Sequence, residues 1–141
     1  MKSKYLVIIF SLIVVGLPFA WSATESQSHP TDDEIRQRIV GTWLVDTRLS
    51  NGNSIIGTEA ILVSGIITSK ATLTIGDNKE ELEFTGIWQV KDGYLIETVK
   101  KSNTERIPVG KITRDKVITL DDKVYVFQTE SGRTVTRKRS K

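Results

Sequence analysis

From residue 41 onward, hydrophobic and polar positions alternate along most of the chain with a period of two. The stretch 82–90 shows this best. Leu82, Phe84, Gly86, Trp88 and Val90 fall on one face, and Glu83, Thr85 and Gln89 on the other, with Ile87 the exception. Such alternation means a strand with one buried and one wet face. Trp88 therefore points inward, and the same logic places Trp43 beside Val45. Turn signals recur roughly every ten residues: Asn51-Gly52-Asn53, Gly76-Asp77-Asn78, Lys91-Asp92-Gly93, Lys101-Ser102-Asn103, Arg114-Asp115, Asp121-Asp122 and Ser131-Gly132. They separate strands over 42–49, 54–64, 66–75, 80–90, 94–100, 105–113, 116–120 with 123–129, and 133–138. Short connections make consecutive hairpins, and closing the resulting meander removes exposed strand edges. The expected fold is all-β, an antiparallel up-and-down β-barrel of about eight strands with one short N-terminal helix.

That helix is expected over 32–40. Thr31-Asp32-Asp33-Glu34 matches a capping box, in which Thr31 accepts from the Glu34 amide and Glu34 reaches back to the Thr31 amide. Acidic residues suit the positive end of the helix dipole. Ile35 and Ile39 give one apolar edge, and Gly41 ends the helix. Two segments are apolar on both faces, AILVSGII at Ala60–Ile67 and VYVF at Val124–Phe127. Strands without a polar face are covered on both sides. The helix or a loop packing outside is the plainer explanation, and a partner surface or ligand portal is the other. Gly65 fits a bulge or tight bend.

The N-terminus has a different pattern. Lys2 and Lys4 precede a 16-residue apolar run, Tyr5–Ala20, followed by Trp21-Ser22-Ala23. This is the layout of a secretory signal peptide over 1–22, cleaved after Ser22 or Ala23. The run is short of the roughly 20 residues that span a bilayer. Residues 23–30 read as a flexible linker, 31–138 as the barrel domain, and 139–141 as a basic tail. Without Lys2 and Lys4 the chain carries 18 basic and 17 acidic residues, so its net charge falls from +3 to +1. An exported destination, periplasmic or secreted, follows, with no stable membrane span after cleavage.

Composition removes much chemistry. There is no cysteine, and the only histidine, His29, lies in the linker. Ser-His-Asp and Cys-His constellations cannot be assembled, nor can imidazole–thiolate metal sites. Carboxylate pairs remain possible, but Asp77, Glu80, Glu81, Glu83, Asp92, Asp115, Asp121 and Asp122 fall mostly at turns or on wet faces. The basic end, with Arg133, Arg137, Lys138, Arg139 and Lys141, reads as solvated charge, and export argues against nucleic acid. No cofactor or metal is expected, and the chain reads as non-enzymatic.

Gly41-Thr42-Trp43 has a near-copy in Phe84-Thr85-Gly86-Ile87-Trp88, followed by Lys91-Asp92-Gly93-Tyr94-Leu95. A short helix leading into G-x-W on the first strand of a meander resembles the lipocalin-like group of the calycin superfamily. The second copy, with its D-G-x-L hairpin, is similar to small bacterial lipocalin-like domains. The resemblance implies that Gly41 permits close backbone approach and that Trp43 closes one barrel end. It also implies that a basic residue near the last strand, Arg133 or Arg137, stacks on Trp43. The T-D-Y-like turn motif of full lipocalins has no match at Asp121–Tyr125. The implied function is a small hydrophobic ligand held inside the barrel against Phe84, Trp88, Tyr94 and Phe127. The alternative is a barrel filled by its own side chains, acting as a structural domain or binding an envelope protein.

Overall fold

The computed structural model describes residues 28–141. The expected signal peptide and the linker up to residue 27 lie outside the described residues. Among the described residues no helix is long and apolar enough to cross a membrane.

The capping box forms as the residue pattern implies. Thr31 Oγ1 accepts from the Glu34 amide, and Glu34 Oε2 accepts from the Thr31 amide at 2.8 Å. Helix α1 then runs Asp32–Ile39 with Ile35 and Ile39 buried. Eight strands follow: β1 Gly41–Arg48, β2 Ser54–Ile61, β3 Ile66–Ile75, β4 Asn78–Lys91, β5 Tyr94–Ser102, β6 Ile112–Leu120, β7 Val124–Gln128 and β8 Thr134–Arg139. They pair in sequence order, each antiparallel to the next, and β8 returns to β1 to close a barrel.

Three expectations are corrected. No strand runs over 105–113. Asn103–Lys111 is a loop, because Pro108 cannot donate to a ladder and Gly110 adopts φ +86°. Arg114-Asp115 is not a turn but lies within β6. The 116–120 and 123–129 segments are two strands, divided where the Asp121 carboxylate accepts from the Lys123 and Val124 amides. The count of eight survives because one loss is matched by one division.

Helix α1 lies across one end of the barrel. Asp32 accepts from the amides of Asp92 and Gly93 in the β4–β5 turn, and Arg36 donates to Val90 O. The helix therefore does not cover Ala60–Ile67. There Ile61 and Ile67 point inward and are fully buried, while Leu62, Val63 and Ile66 stay exposed around the β2–β3 turn. The closed end is filled by Ile35, Ile39, Trp43, Leu95, Val117 and Tyr125. The opposite end carries the turns at 49–53, 76–77, 103–111 and 129–133.

Candidate functional site in the barrel interior

The two G-x-W motifs build the closed end. Trp43 is fully buried, and its Nε1 donates to Ile39 O, the last turn of α1, at 2.8 Å. Its ring meets Tyr125 edge-on at 4.8 Å. The cation stacked on it is Arg139, not Arg133 or Arg137. The Arg139 guanidinium carbon lies 4.2 Å from the Trp43 ring centroid, while Nη1 and Nη2 donate to Val40 O and Arg38 O and Nε donates to Asp122 O. Arg139 is the strand neighbour of Trp43 across the β1–β8 seam. It therefore belongs to β8 rather than to a loose tail. Gly41 holds φ +144°, and any Cβ there would collide with this guanidinium. Gly86 serves close approach of another kind, since a Cβ would run into the Thr98 carbonyl of β5.

The four expected ligand contacts do not share one lining. Phe84 and Trp88 point inward and are half-buried against the core. The Trp88 indole donates to Leu62 O, which fastens the β2–β3 turn to β4. Phe127 is inward and 2 % exposed, stacked on Tyr125 at 5.0 Å. Tyr94 faces outward and is 37 % exposed, because in β5 the inward phase belongs to Leu95, Glu97 and Val99. Arg133 is exposed in the β7–β8 turn, where its backbone closes onto Thr129.

Midway along the barrel the interior turns polar. Glu59 from β2, Glu97 from β5, Asp115 from β6 and Arg137 from β8 occupy the inward phase of their strands. Glu59 is 3 % exposed and pairs with Arg137, which reaches past β1 to meet it. Arg137 also lies 5.3 Å over the Phe127 ring. Glu97 and Asp115 are half-buried and lie opposite Thr113 and Leu95 across the β5–β6 ladder. Among the described residues neither has an ion pair within 4.0 Å.

Three carboxylates thus share one guanidinium, and the imbalance shows in the protonation of Glu97 and Asp115. Burial, reinforced by Glu59, holds the Glu97 carboxyl well above the usual range, and Arg137 only partly opposes it. Burial likewise raises Asp115 to about 6 against the pull of Arg137. Tyr125 is pushed well up by burial. Burial works against the Arg137 charge, but Glu59, Tyr125, Glu97 and Asp115 outweigh it and keep the guanidinium firmly charged. Bringing ions into a low-dielectric interior costs several kcal/mol each unless they are paired. The cluster can therefore take up protons, present hydrogen-bond donors and acceptors, and orient a polar group. Among the described residues no three His, Cys, Asp or Glu side chains come together as metal ligands.

Asp115 was expected at a turn, and Glu59 and Glu97 escape a search for motifs. The signal that finds them is phase. Glu59 is two residues from buried Ile61, Glu97 lies between Leu95 and Val99, and Asp115 is two residues from Val117. A charge in step with apolar neighbours at i±2 lies on the inner face.

The eight-stranded antiparallel barrel is consistent with a calycin-like fold. No family model matches the chain, and no curated protein is significantly similar to it in sequence.

Proposed function

We propose that this chain is an exported, non-enzymatic, lipocalin-like domain that binds a small amphipathic molecule inside its barrel, reached from the end opposite α1. The observation that carries this reading is the Glu59–Arg137–Glu97–Asp115 cluster below a half-buried apolar lining that includes Phe84 and Val135. A barrel serving only as a scaffold gains nothing from this arrangement, since apolar residues of similar volume would be as stable or more so. Binding pockets, in contrast, combine apolar walls with a few convergent polar groups. The closed half is filled by Trp43, Tyr125 and Phe127. This favours a ligand that enters partway, with its polar group at the cluster and its apolar part toward the mouth. The signal-peptide layout of residues 1–22 supports export.

The test titrates the intrinsic fluorescence of the processed protein with fatty acids, long-chain amines, retinoids and haem. Trp88 borders the interior, so a bound guest shifts or quenches its emission, and Arg137→Met reduces the response. No change across the panel with the wild type, together with an experimental structure whose interior has no free volume, leaves the filled-barrel alternative standing. Because Asp115 and Glu97 have the raised affinities for protons that general acids use, release of the chromophore from a nitrophenyl glycoside, measured separately, overturns the non-enzymatic reading. N-terminal sequencing of the exported protein should begin at Ala23 or Thr24.

A further inference from the structure

Tyr94, expected inside the barrel, opens instead onto an external groove of about 900 Å³ across the outer face of β4, β5 and β6. The ladder register sets Lys91, Tyr94 and Lys116 side by side, with Gln89, Ile96 and Arg114 in the next row. Lys91, Arg114 and Lys116 take part in no ion pair among the described residues. Asp92 and Glu130 also line the groove, and they leave it with a positive balance.

One wall of the groove is an unfinished sheet edge. β6 pairs with β5 over Ile112–Lys116, but its ladder with β7 begins only at Lys116↔Gln128. Beyond Gln128 the β7–β8 turn closes on itself, with Thr129 N donating to Arg133 O and Gly132 N donating to Thr129 O. It offers no partner to Ile112–Asp115. The Val117 amide donates toward β5, to Gly93 O. Strand alternation then turns the amide and carbonyl groups of Ile112 and Arg114 the other way, toward the groove. Unpaired strand edges are templates for another strand. Proteins that carry them often guard them with charge, and here the guard is of one sign. Three unpaired cations repel a second copy of the same surface and favour a strand of opposite charge.

We propose that the free edge of β6 in this basic groove binds an extended acidic peptide segment of a partner protein by strand addition. The backbone of Ile112 and Arg114 supplies the ladder bonds. Acidic side chains at every second peptide position lie on the outer face and pair with Arg114 and Lys116 of β6, while the alternate apolar ones turn to the inner face. Main-chain pairing would give affinity and side-chain alternation specificity, as in other strand-addition complexes. The site lies outside the barrel and is independent of any interior ligand.

The test uses the full processed chain and a fluorescein-labelled heptapeptide alternating glutamate with valine, with a lysine–valine peptide as control. Fluorescence anisotropy should show binding of the acidic peptide, weakened severalfold as salt rises from about 50 to 300 mM. The pair Arg114→Glu and Lys116→Glu should cost at least about tenfold. Ile112→Pro, which removes one edge amide without altering charge, should cost about fivefold or more. Hydrogen exchange at the Ile112 and Arg114 amides should slow on peptide addition. These positions are exposed or at a free edge, so unchanged melting temperatures confirm that the variants fold. Equal binding of the lysine peptide, no binding at millimolar concentration, or binding that leaves Ile112→Pro and the two amides unaffected overturns strand addition.

Discussion

Arg139 lies over the face of Trp43 at 4.2 Å while its guanidinium donates to the carbonyls of Arg38 and Val40. A single side chain thus joins the C-terminal end of α1, the first strand and the last. It does so at a weak point. β1 is paired with β2 along its whole length, but with β8 only through Trp43↔Arg139, Leu44↔Lys138 and the Ser140 amide donating to Thr42 O. Arg139→Ala should destabilise the domain by about 2–3 kcal/mol, combining a lost cation–π contact with charge-assisted bonds left unmade. Arg139→Lys should recover less than half of that, because an ammonium cannot span both carbonyls and the ring as a planar fork does. Arg133→Ala should change stability by no more than about 0.5 kcal/mol. Urea unfolding of the three variants decides this, and an Arg133 variant as unstable as the Arg139 one contradicts it.

The Arg137–Glu59 pair is the second tie across the same seam, made inside the barrel. Removing one partner of a buried pair leaves an uncompensated charge, at a cost of about 3–5 kcal/mol. Arg137→Met should fall at the lower end, since 18 % of the Arg137 side chain still reaches solvent. Its effect should also depend on pH. Without the guanidinium, Glu97 and Asp115, whose carboxyls burial already holds up, face Glu59 uncompensated when ionised and relax when protonated. The variant should therefore be least stable at pH 8 and regain most of the difference at pH 5. A deficit that is the same at both values means that the carboxylates do not sense Arg137.

How much of this was legible in the chain depends on the range of the interaction. The capping box, the phase of 82–90 and the inward placement of Trp43 and Trp88 rest on neighbours within four residues, and all are found. Arg139 could not be chosen over Arg133 or Arg137 because its contact depends on the β1–β8 register, set by pairing ends of the domain about a hundred residues apart. Tyr94 faces outward, against the sequence expectation, because the β4–β5 turn resets the phase. Asp92 and Gly93, with φ of +54° and +79°, put Leu95 rather than Tyr94 on the inside. Arg114-Asp115 reads as a turn from its charge alone, yet it lies within β6. Only the step of Asp115 with Val117 reveals the inner face.

Asp115 gives the domain an unusual pH response. Its carboxyl is raised to about 6 in the folded state, against about 3.9 in an unfolded chain. Between those values the folded state binds more protons, so stability falls as pH rises through the window. This contribution is fully present below pH 4 and gone above about pH 6. Glu97 acts in the same direction. Glu34, Glu80 and Asp121 are lowered by hydrogen bonds and act oppositely, losing their contribution as the pH drops through the acid range. The melting temperature should therefore peak at about pH 4 to 5 and decline as the pH rises through 6, with Glu97 extending the decline beyond. Asp115→Asn should flatten the decline between about pH 4 and 6, and a decline of unchanged slope there assigns it to another group.

Gly86 and Gly93 separate two reasons for glycine in the second G-x-W region. Gly93 has φ +79° with open space where a Cβ would stand, so Gly93→Ala bears only the conformational cost, about 1 kcal/mol. Gly86 has no such backbone demand, but a Cβ there meets the Thr98 carbonyl and is also near Ile67. The crowding lies beside the register shift between Thr85 and Gly86, where β4 and β5 come together irregularly. Gly86→Ala should therefore cost about 2–3 kcal/mol through overpacking. Because the strain falls two residues from Trp88 on the same face of β4, it should also loosen the Trp88 Nε1 bond to Leu62 O. Indole proton exchange by NMR reports that loosening directly. If Gly86→Ala is as mild as Gly93→Ala and leaves the indole protected, the close approach of β4 and β5 is not what requires glycine at this position.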